Sequence, residues 1–343
     1  MKALVTGATG FLGSHCVVEL LRAGHEVRGT VRELARGERL RASLPLSDED
    51  KARLTFVLGD LSHDEGWAEA MRGCDLVLHV ASPVPSAPVA DADEVVGPAR
   101  DGTLRVLGAA AAEGVKRVVM TSSTAAVLWG HARDGSRTYD ERDWSNLTAE
   151  VGAYERSKTL AERAAWDFVA ALPEPKLELV TILPGAILGP LFEADFSLSG
   201  ELVRMLLDRK LPGIPDLGFA LVDVRDVARI HVEAATLASA AGERFIVAGP
   251  HVPFTEIARA LDERFGPRGY RVPRRRLPSF LVRMMALWDR GAALTARELG
   301  KRQDVSSEKA SRVFGWKPRP LEEMVSAMGE SMIEHGVIGA RHR

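Results

Sequence analysis

Tyr154 and Lys158 stand four residues apart in a stretch of helical period, so their side chains leave one face of the helix that the sequence predicts there. That spacing suits proton transfer. A phenol with a pKa of about 10 is a poor acid-base couple at neutral pH unless a nearby cation stabilises the phenolate. Lys158 is placed to do this, and its ammonium can also bond the ribose of a nicotinamide cofactor. Ser123, in Thr121-Ser122-Ser123 just past a β-rich run, offers a hydroxyl that can hold a substrate oxygen and stabilise charge developing on it. Ser122 is the alternative occupant, read as a loop-capping hydroxyl. Ser123, Tyr154 and Lys158 are thus the candidate catalytic residues for interconverting a carbonyl and an alcohol.

Such chemistry needs a hydride carrier, and the chain begins with a place for one. The run Lys2-Thr6 reads as a strand and leads directly into Gly7-Ala8-Thr9-Gly10-Phe11-Leu12-Gly13, after which a helix pattern starts. Glycines in that context permit a tight turn, close approach of backbone to a pyrophosphate and close helix-strand packing, and the helix N-terminus offers unpaired N–H groups. Gly7, Thr9, Gly10, Phe11, Leu12 and Gly13 are the candidate phosphate contacts. The second strand ends at Val31-Arg32. An acidic residue there would bond a ribose 2′-hydroxyl, whereas an arginine accommodates a 2′-phosphate, so Arg32 points to NADP(H), with Arg36 as a second candidate. The plain alternative for both is a solvated surface arginine. Asp60 and Leu61, past the third strand, would lie beside the adenine, although Asp60 can equally serve as an N-cap. Ala81 and Ser82, past the fourth, would lie beside the ribose and nicotinamide.

Apolar β-rich runs alternate with helical segments over the first 185 residues, which predicts βαβ units and a parallel sheet covered on both faces. The predicted strands are Lys2-Thr6, Glu26-Val31, Leu54-Leu58, Leu76-Val80, Arg117-Thr121 and Leu177-Leu183. The predicted helices lie near Leu12-Arg22, Glu33-Ser43, Asp64-Met71, Asp91-Glu113 and Ala153-Ala171. Two later runs, Ala220-Val224 and Arg244-Ala248, are expected to extend the same sheet. The fold class is therefore α/β, a doubly wound parallel sheet with a smaller C-terminal substrate-binding lobe. Residues 1–190 with about 216–250 form the NADP-binding domain, and about 191–215 with 251–343 the lobe.

With 343 residues the chain can bury a large core, and a formal net charge of −2 excludes a general attraction to nucleic acid or an anionic surface. A small-molecule carbonyl or alcohol is the expected partner, with no nucleic acid and no membrane, and the chain is expected to be a monomer or homodimer. The two cysteines, Cys16 and Cys74, read as core residues of a protein from a reducing compartment, and the start of the chain shows no signal-peptide pattern, so a cytoplasmic location is expected. No metal site is expected. Four arginines among residues 271–276 read as a solvated turn or as a contact for an anionic substrate tail, and Trp129 and Trp144 as pocket or packing residues.

The chain resembles the extended short-chain dehydrogenases/reductases, and among them the dihydroflavonol reductase-like group. Thr6 to Gly13, Thr30-Val31-Arg32, Gly59-Asp60-Leu61, His79-Val80-Ala81-Ser82-Pro83, Thr121-Ser122-Ser123, Tyr154-Glu155-Arg156-Ser157-Lys158, Leu183 to Pro190 and Val222 to Ala228 carry the likeness in the family's order. The resemblance implies a Rossmann domain with a C-terminal substrate lobe, NADPH as cofactor, and the serine, tyrosine and lysine roles given above. It also implies that Pro83 continues the cofactor loop and that Leu183, Pro184 and Ile187 lie against the nicotinamide. The group includes flavonoid, cinnamoyl-CoA, methylglyoxal and other aldehyde or ketone reductases. No substrate-reading motif of the plant flavonoid enzymes is found, and 192–215, where selectivity should be decided, is not diagnostic. The alternatives are a nucleotide-sugar epimerase or dehydratase of the same fold, which Arg32 and the loop Ala81-Ser82-Pro83 disfavour, and a non-catalytic dinucleotide sensor, for which the Tyr/Lys pair beside Ser123 would be superfluous.

Overall fold

The computed structural model describes residues 1–82, 93–174 and 176–339. Its centre is a seven-stranded sheet in the order β3-β2-β1-β4-β5-β6-β9, made of β1 (Lys2–Thr6), β2 (Glu26–Val31), β3 (Leu54–Leu58), β4 (Leu76–His79), β5 (Arg117–Thr121), β6 (Glu178–Pro184) and β9 (Arg244–Val247). Every pairing in it is parallel. Alternation along β1 shows why both faces are covered. Ala3 and Val5 belong to one apolar cluster with Val17 and Leu20 of α1 (Phe11–Arg22), whereas Leu4 joins another with Trp67 and Val106. Strand order reverses between β1 and β4, and the carboxyl ends on either side of that point are where ligands of such sheets gather.

The helices of the first half are α2 (Leu34–Ser43), α3 (Asp48–Ala52), α4 (Trp67–Met71), α5 (Asp93–Ala112), α6 (Ala125–Leu128) and α7 (Ala153–Ala171). The predicted helix at Asp64 starts later, at Trp67, because Gly66 takes a left-handed conformation at its N-cap (φ 86°). α3, which Ser47 caps through the Asp50 amide at 3.1 Å, is too short to show a period.

After β6 the structure departs from expectation. Arg244–Val247 does extend the main sheet, beside β6, but Gly218–Asp223 (β8) does not. It forms a second sheet, β10-β8-β7, with β7 (Ala186–Leu188) and β10 (His251–Pro253). The cause lies at Gly185, where the chain leaves β6. Its N–H bonds Val247 O (3.1 Å), while a side chain there would meet Ala220 O at 2.2 Å, so only glycine lets both strands approach. Helices α8 (Leu198–Leu207), α9 (Val224–Thr236), α10 (Phe254–Phe265), α11 (Ser279–Met285), α12 (Arg290–Glu298), α13 (Glu308–Phe314) and α14 (Leu321–Glu334) complete the chain. One apolar cluster runs from Val5 and Val17 through Val222 to Leu206, Phe265 and Met328, so the later helices share a core with the first sheet face. Cys16 and Cys74 are buried and free. Among the described residues no helix is long and apolar enough to cross a membrane.

Candidate active site

The exit of β5 is pinned to β6 on both sides of Ser123. The Ser122 N–H donates to Ile182 O (2.8 Å) and the Thr124 N–H to Pro184 O (3.0 Å), which holds Ser123 at the carboxyl edge. Its Oγ accepts the Ala125 N–H (3.1 Å) and opens α6. Opposite lies α7, whose buried face carries Lys158 and Glu162, with Tyr154 one turn before them. The structure thus brings Ser123 and Tyr154 together. Burial pushes the Tyr154 phenol above its ordinary pKa, and the Ser123 hydroxyl opposes that push as a hydrogen-bond partner. Lys158 is buried, and desolvation lowers its ammonium to about 8 despite the nearby Glu162 carboxylate. Its Nζ makes no hydrogen bond or ion pair with any described residue, so its donors remain available to a ligand. Burial is the largest influence on the Tyr154 phenol, and the lysine's charge adds to the burial that holds His79 neutral with a pKa of about 3.

Behind this pair lies a charged group that the sequence reading missed. Glu162, 0% exposed, accepts hydrogen bonds from Ser122 Oγ (2.6 Å), Thr181 Oγ1 (2.8 Å) and Arg244 Nε (2.7 Å). Arg244 also donates to the carbonyls of Glu141 and Asp143 and lies 3.7 Å over the Trp144 ring. Ser122 is therefore a support for a buried carboxylate rather than a loop cap. Trp144 packs on arginine, and Trp129 is similarly covered by Arg133 at 4.5 Å. Position i+4 from Lys158 was the one available hint, because it places Glu162 on the face that carries Tyr154 and Lys158.

The glycine loop turns tightly into α1 and leaves the first helical amides open. Gly7 is left-handed (φ 64°), Gly10 caps α1 without a side-chain hydrogen bond, and the first helical amide to reach back is that of Ser14, to Gly10 O (2.9 Å). The amides of Phe11, Leu12 and Gly13 have no acceptor among the described residues, as a site for a pyrophosphate requires. Thr9 and Gly10 are half-buried in the same turn. A side chain on Gly13 would meet Gly7 O at 2.1 Å. Gly13→Ala is accordingly expected to destabilise the fold by about 1 to 3 kcal/mol, the usual cost of overpacking, and to weaken dinucleotide binding; a urea titration and a cofactor titration check both. Thr6 Oγ1 accepts the Ala81 N–H (3.0 Å) and bonds His79 Nδ1 (2.9 Å), which ties the β1 and β4 ends together and sets Ala81 against Gly7. Ser82 follows, half-buried, and Pro83 lies outside the described residues.

Arg32, exposed at the end of β2, pairs with no described acidic side chain. Arg36 differs. It is ion-paired with Asp195 from the segment after β7, so a phosphate would have to compete for it. Asp60 Oδ1 accepts the Ser62 N–H (2.8 Å), an interaction that holds its carboxyl below the usual range, and Leu61 packs against Gly102 of α5. Leu183 and Pro184 are buried at the end of β6, and Ile187 is half-buried in β7. In the 192–215 region Phe192 stacks on His15 of α1 at 4.2 Å, which gives that ring a packing partner.

A model of the NAD dependent epimerase/dehydratase family matches residues 3–248. A ketoreductase, azaE of Aspergillus niger, is 36% identical over 97% of this chain and 98% of its own length. Cinnamoyl-CoA reductase 1 of Oryza sativa subsp. japonica is 36% identical over 76% of this chain and 75% of its own. Among solved structures, the yeast methylglyoxal/isovaleraldehyde reductase Gre2, complexed with NADPH, aligns with a TM-score of 0.80 at 25% identity over 98% of this chain and 99% of that one. With these matches and the Rossmann strand order, the chain belongs to the NAD dependent epimerase/dehydratase family, among its extended short-chain dehydrogenases/reductases.

Proposed function

We propose that this NADP-dependent oxidoreductase reduces the carbonyl of a small aldehyde or ketone, and reversibly oxidises the alcohol, with Tyr154 as general acid and base. The observation that carries this reading is the meeting of Ser123 and Tyr154 one helical turn from a buried Lys158 whose ammonium has no partner among the described residues. The ketoreductase, cinnamoyl-CoA reductase and NADPH-bound Gre2 relatives support it. The open amides of Phe11, Leu12 and Gly13, with Arg32, would hold the dinucleotide's phosphates. When bound, the cofactor supplies the hydride. Ser123 holds the substrate oxygen, Tyr154 gives its proton to that oxygen, and Lys158 grips the ribose and keeps positive charge beside the phenol. Burial favours the neutral phenol, so the proton to be donated is in place throughout the neutral range.

Arg32 decides the cofactor in this reading. A charge-assisted contact to the 2′-phosphate is worth about 1.5 to 3 kcal/mol, or roughly a ten- to hundredfold preference for NADPH. Arg32→Ala should remove that factor while leaving NADH almost unaffected, read as kcat/KM for both cofactors with a panel of aldehydes and ketones at fixed ionic strength. Unchanged preference in the variant would put Arg32 on the surface, without a ligand.

Lys158 sets the alkaline limit. Its ammonium, lowered to about 8 by burial, is charged below that pH and neutral above it, so kcat/KM should fall as pH rises through about 8. Stability moves the other way. The unfolded chain binds the extra proton between about 8 and the ordinary lysine value, so this group favours folding increasingly as pH rises through that window. A pH series of kcat/KM alongside urea midpoints checks both signs.

A further inference from the structure

The formal net charge of −2 conceals a strong local imbalance. Residues 271–298 hold seven arginines, at 271, 274, 275, 276, 283, 290 and 297, against two acids, Asp289 and Glu298, a local charge of +5. Arg274 pairs with Asp262 and Arg297 with Glu150, but Arg275, Arg276, Arg283 and Arg290 pair with no described acidic residue. The second half of the stretch, from Ser279, folds as the helical hairpin α11–α12, and Arg271, Arg274, Arg275 and Arg276 lie on the segment that leads into it. Only Val282 of α11 is buried, at 3% exposure, and no residue of α12 is. On the side of α11 away from Val282, Phe280 (68% exposed), Met284, Leu287 (74%) and Trp288 (78%) recur at i, i+4, i+7 and i+8. The turn continues past Met285, because the Leu287 and Trp288 amides bond Met284 O and Met285 O (both 3.1 Å). An apolar stripe turned to solvent and rimmed by unpaired arginines is an interaction surface, since isolated exposed apolar residues do not line up in this way.

Charge selects the partner. A second copy seated on the stripe would bring a second set of unpaired arginines, Arg283 and Arg290 among them, to the same interface. An anionic bilayer answers both features, taking aromatic side chains at the acyl–headgroup boundary and guanidinium groups at its phosphates. We propose that the α11–α12 hairpin is a docking surface for an anionic lipid bilayer, with Phe280, Leu287 and Trp288 entering the boundary and Arg275, Arg276, Arg283 and Arg290 facing the headgroups. The hairpin's base is fixed to the catalytic region, because Glu298 at the end of α12 holds buried Arg133 by two hydrogen bonds (2.8 and 2.7 Å), and Arg133 lies over Trp129. The sequence expectation of no membrane partner rested on the net charge and on the lack of a bilayer-spanning stretch, and neither describes a local surface patch.

The test uses the full chain and vesicles of equal parts phosphatidylglycerol and phosphatidylcholine, with phosphatidylcholine alone as the reference. The expected result is co-sedimentation with the anionic vesicles at least roughly tenfold tighter than with the neutral ones, lost at high salt, with tryptophan emission quenched by brominated acyl chains and that quenching reduced in Trp288→Phe. Phe280→Ala/Trp288→Ala and, separately, Arg283→Glu/Arg290→Glu should each weaken binding at least roughly tenfold while leaving NADPH affinity unchanged, which also shows the variants folded. Equal partition to both vesicle types, or undiminished binding by the two double variants, overturns the proposal. So does a wild-type dimer that Phe280→Ala/Trp288→Ala splits into monomers, which assigns the stripe to a second copy. Binding to a polyglutamate peptide but not to anionic vesicles assigns it to an acidic protein and overturns the proposal as well.

Discussion

Replacing Tyr154 with phenylalanine is expected to lower kcat by roughly two to four orders of magnitude, the usual contribution of positioned acid-base catalysis. The ring keeps its packing and loses only the hydroxyl, so NADPH affinity and the urea midpoint should change little. Ser123 loses its phenol partner in that variant but keeps the Ala125 amide, which preserves the loop. Because burial holds the phenol neutral, its own deprotonation lies above the alkaline fall assigned to Lys158, and the wild-type profile should show the lysine first. Turnover near the wild-type level in Tyr154→Phe, on the best substrate found, would remove the tyrosine from the chemistry.

Glu162→Gln is expected to have the largest effect on stability, about 3 to 5 kcal/mol, since it leaves Arg244 charged and almost enclosed without its counter-ion. The carbonyls of Glu141 and Asp143 and the face of Trp144 remain with the guanidinium, which favours the lower end of that range. Adding Arg244→Met should recover part of the loss, as removing both charges of a buried pair commonly does. A second readout separates support from chemistry. Glu162 is the carboxylate that raises the Lys158 pKa against burial, so the alkaline fall of kcat/KM should move to lower pH in Glu162→Gln. Urea midpoints for the two single variants and the double variant, with pH profiles for Glu162→Gln, measure both effects.

What the sequence made legible was local. The first five parallel strands announce themselves as short apolar runs between helical periods, and their limits match the structure almost residue for residue except at His79, where β4 stops before Val80. The glycine loop and the Tyr154–Lys158 spacing are likewise patterns within one turn or one helix face. What escaped depends on partners far along the chain. The apolar run Ala220–Val224 looks the same whichever sheet it joins, and it is excluded from the main one because Arg244–Val247 occupies the edge of β6. Glu162 and Arg244 are 82 positions apart, and Arg36 meets Asp195 across 159, so neither pairing leaves a periodic signal. The outward stripe of α11 is periodic, yet period alone does not tell an inward face from an outward one, and only the burial of Val282 on the other side settles it.

The central claim is hydride delivery from NADPH to a carbonyl carbon, and NADPH deuterated at C4 of the nicotinamide tests it most directly. Single turnovers with the aldehyde or ketone that gives the highest kcat/KM should yield an alcohol carrying one deuterium on the former carbonyl carbon, from one face of the nicotinamide only, with NADP released as product. An alcohol without label from NADPH deuterated on either face, or a protein that retains tightly bound NAD and inverts a nucleotide sugar without net consumption of NADPH, would contradict the account.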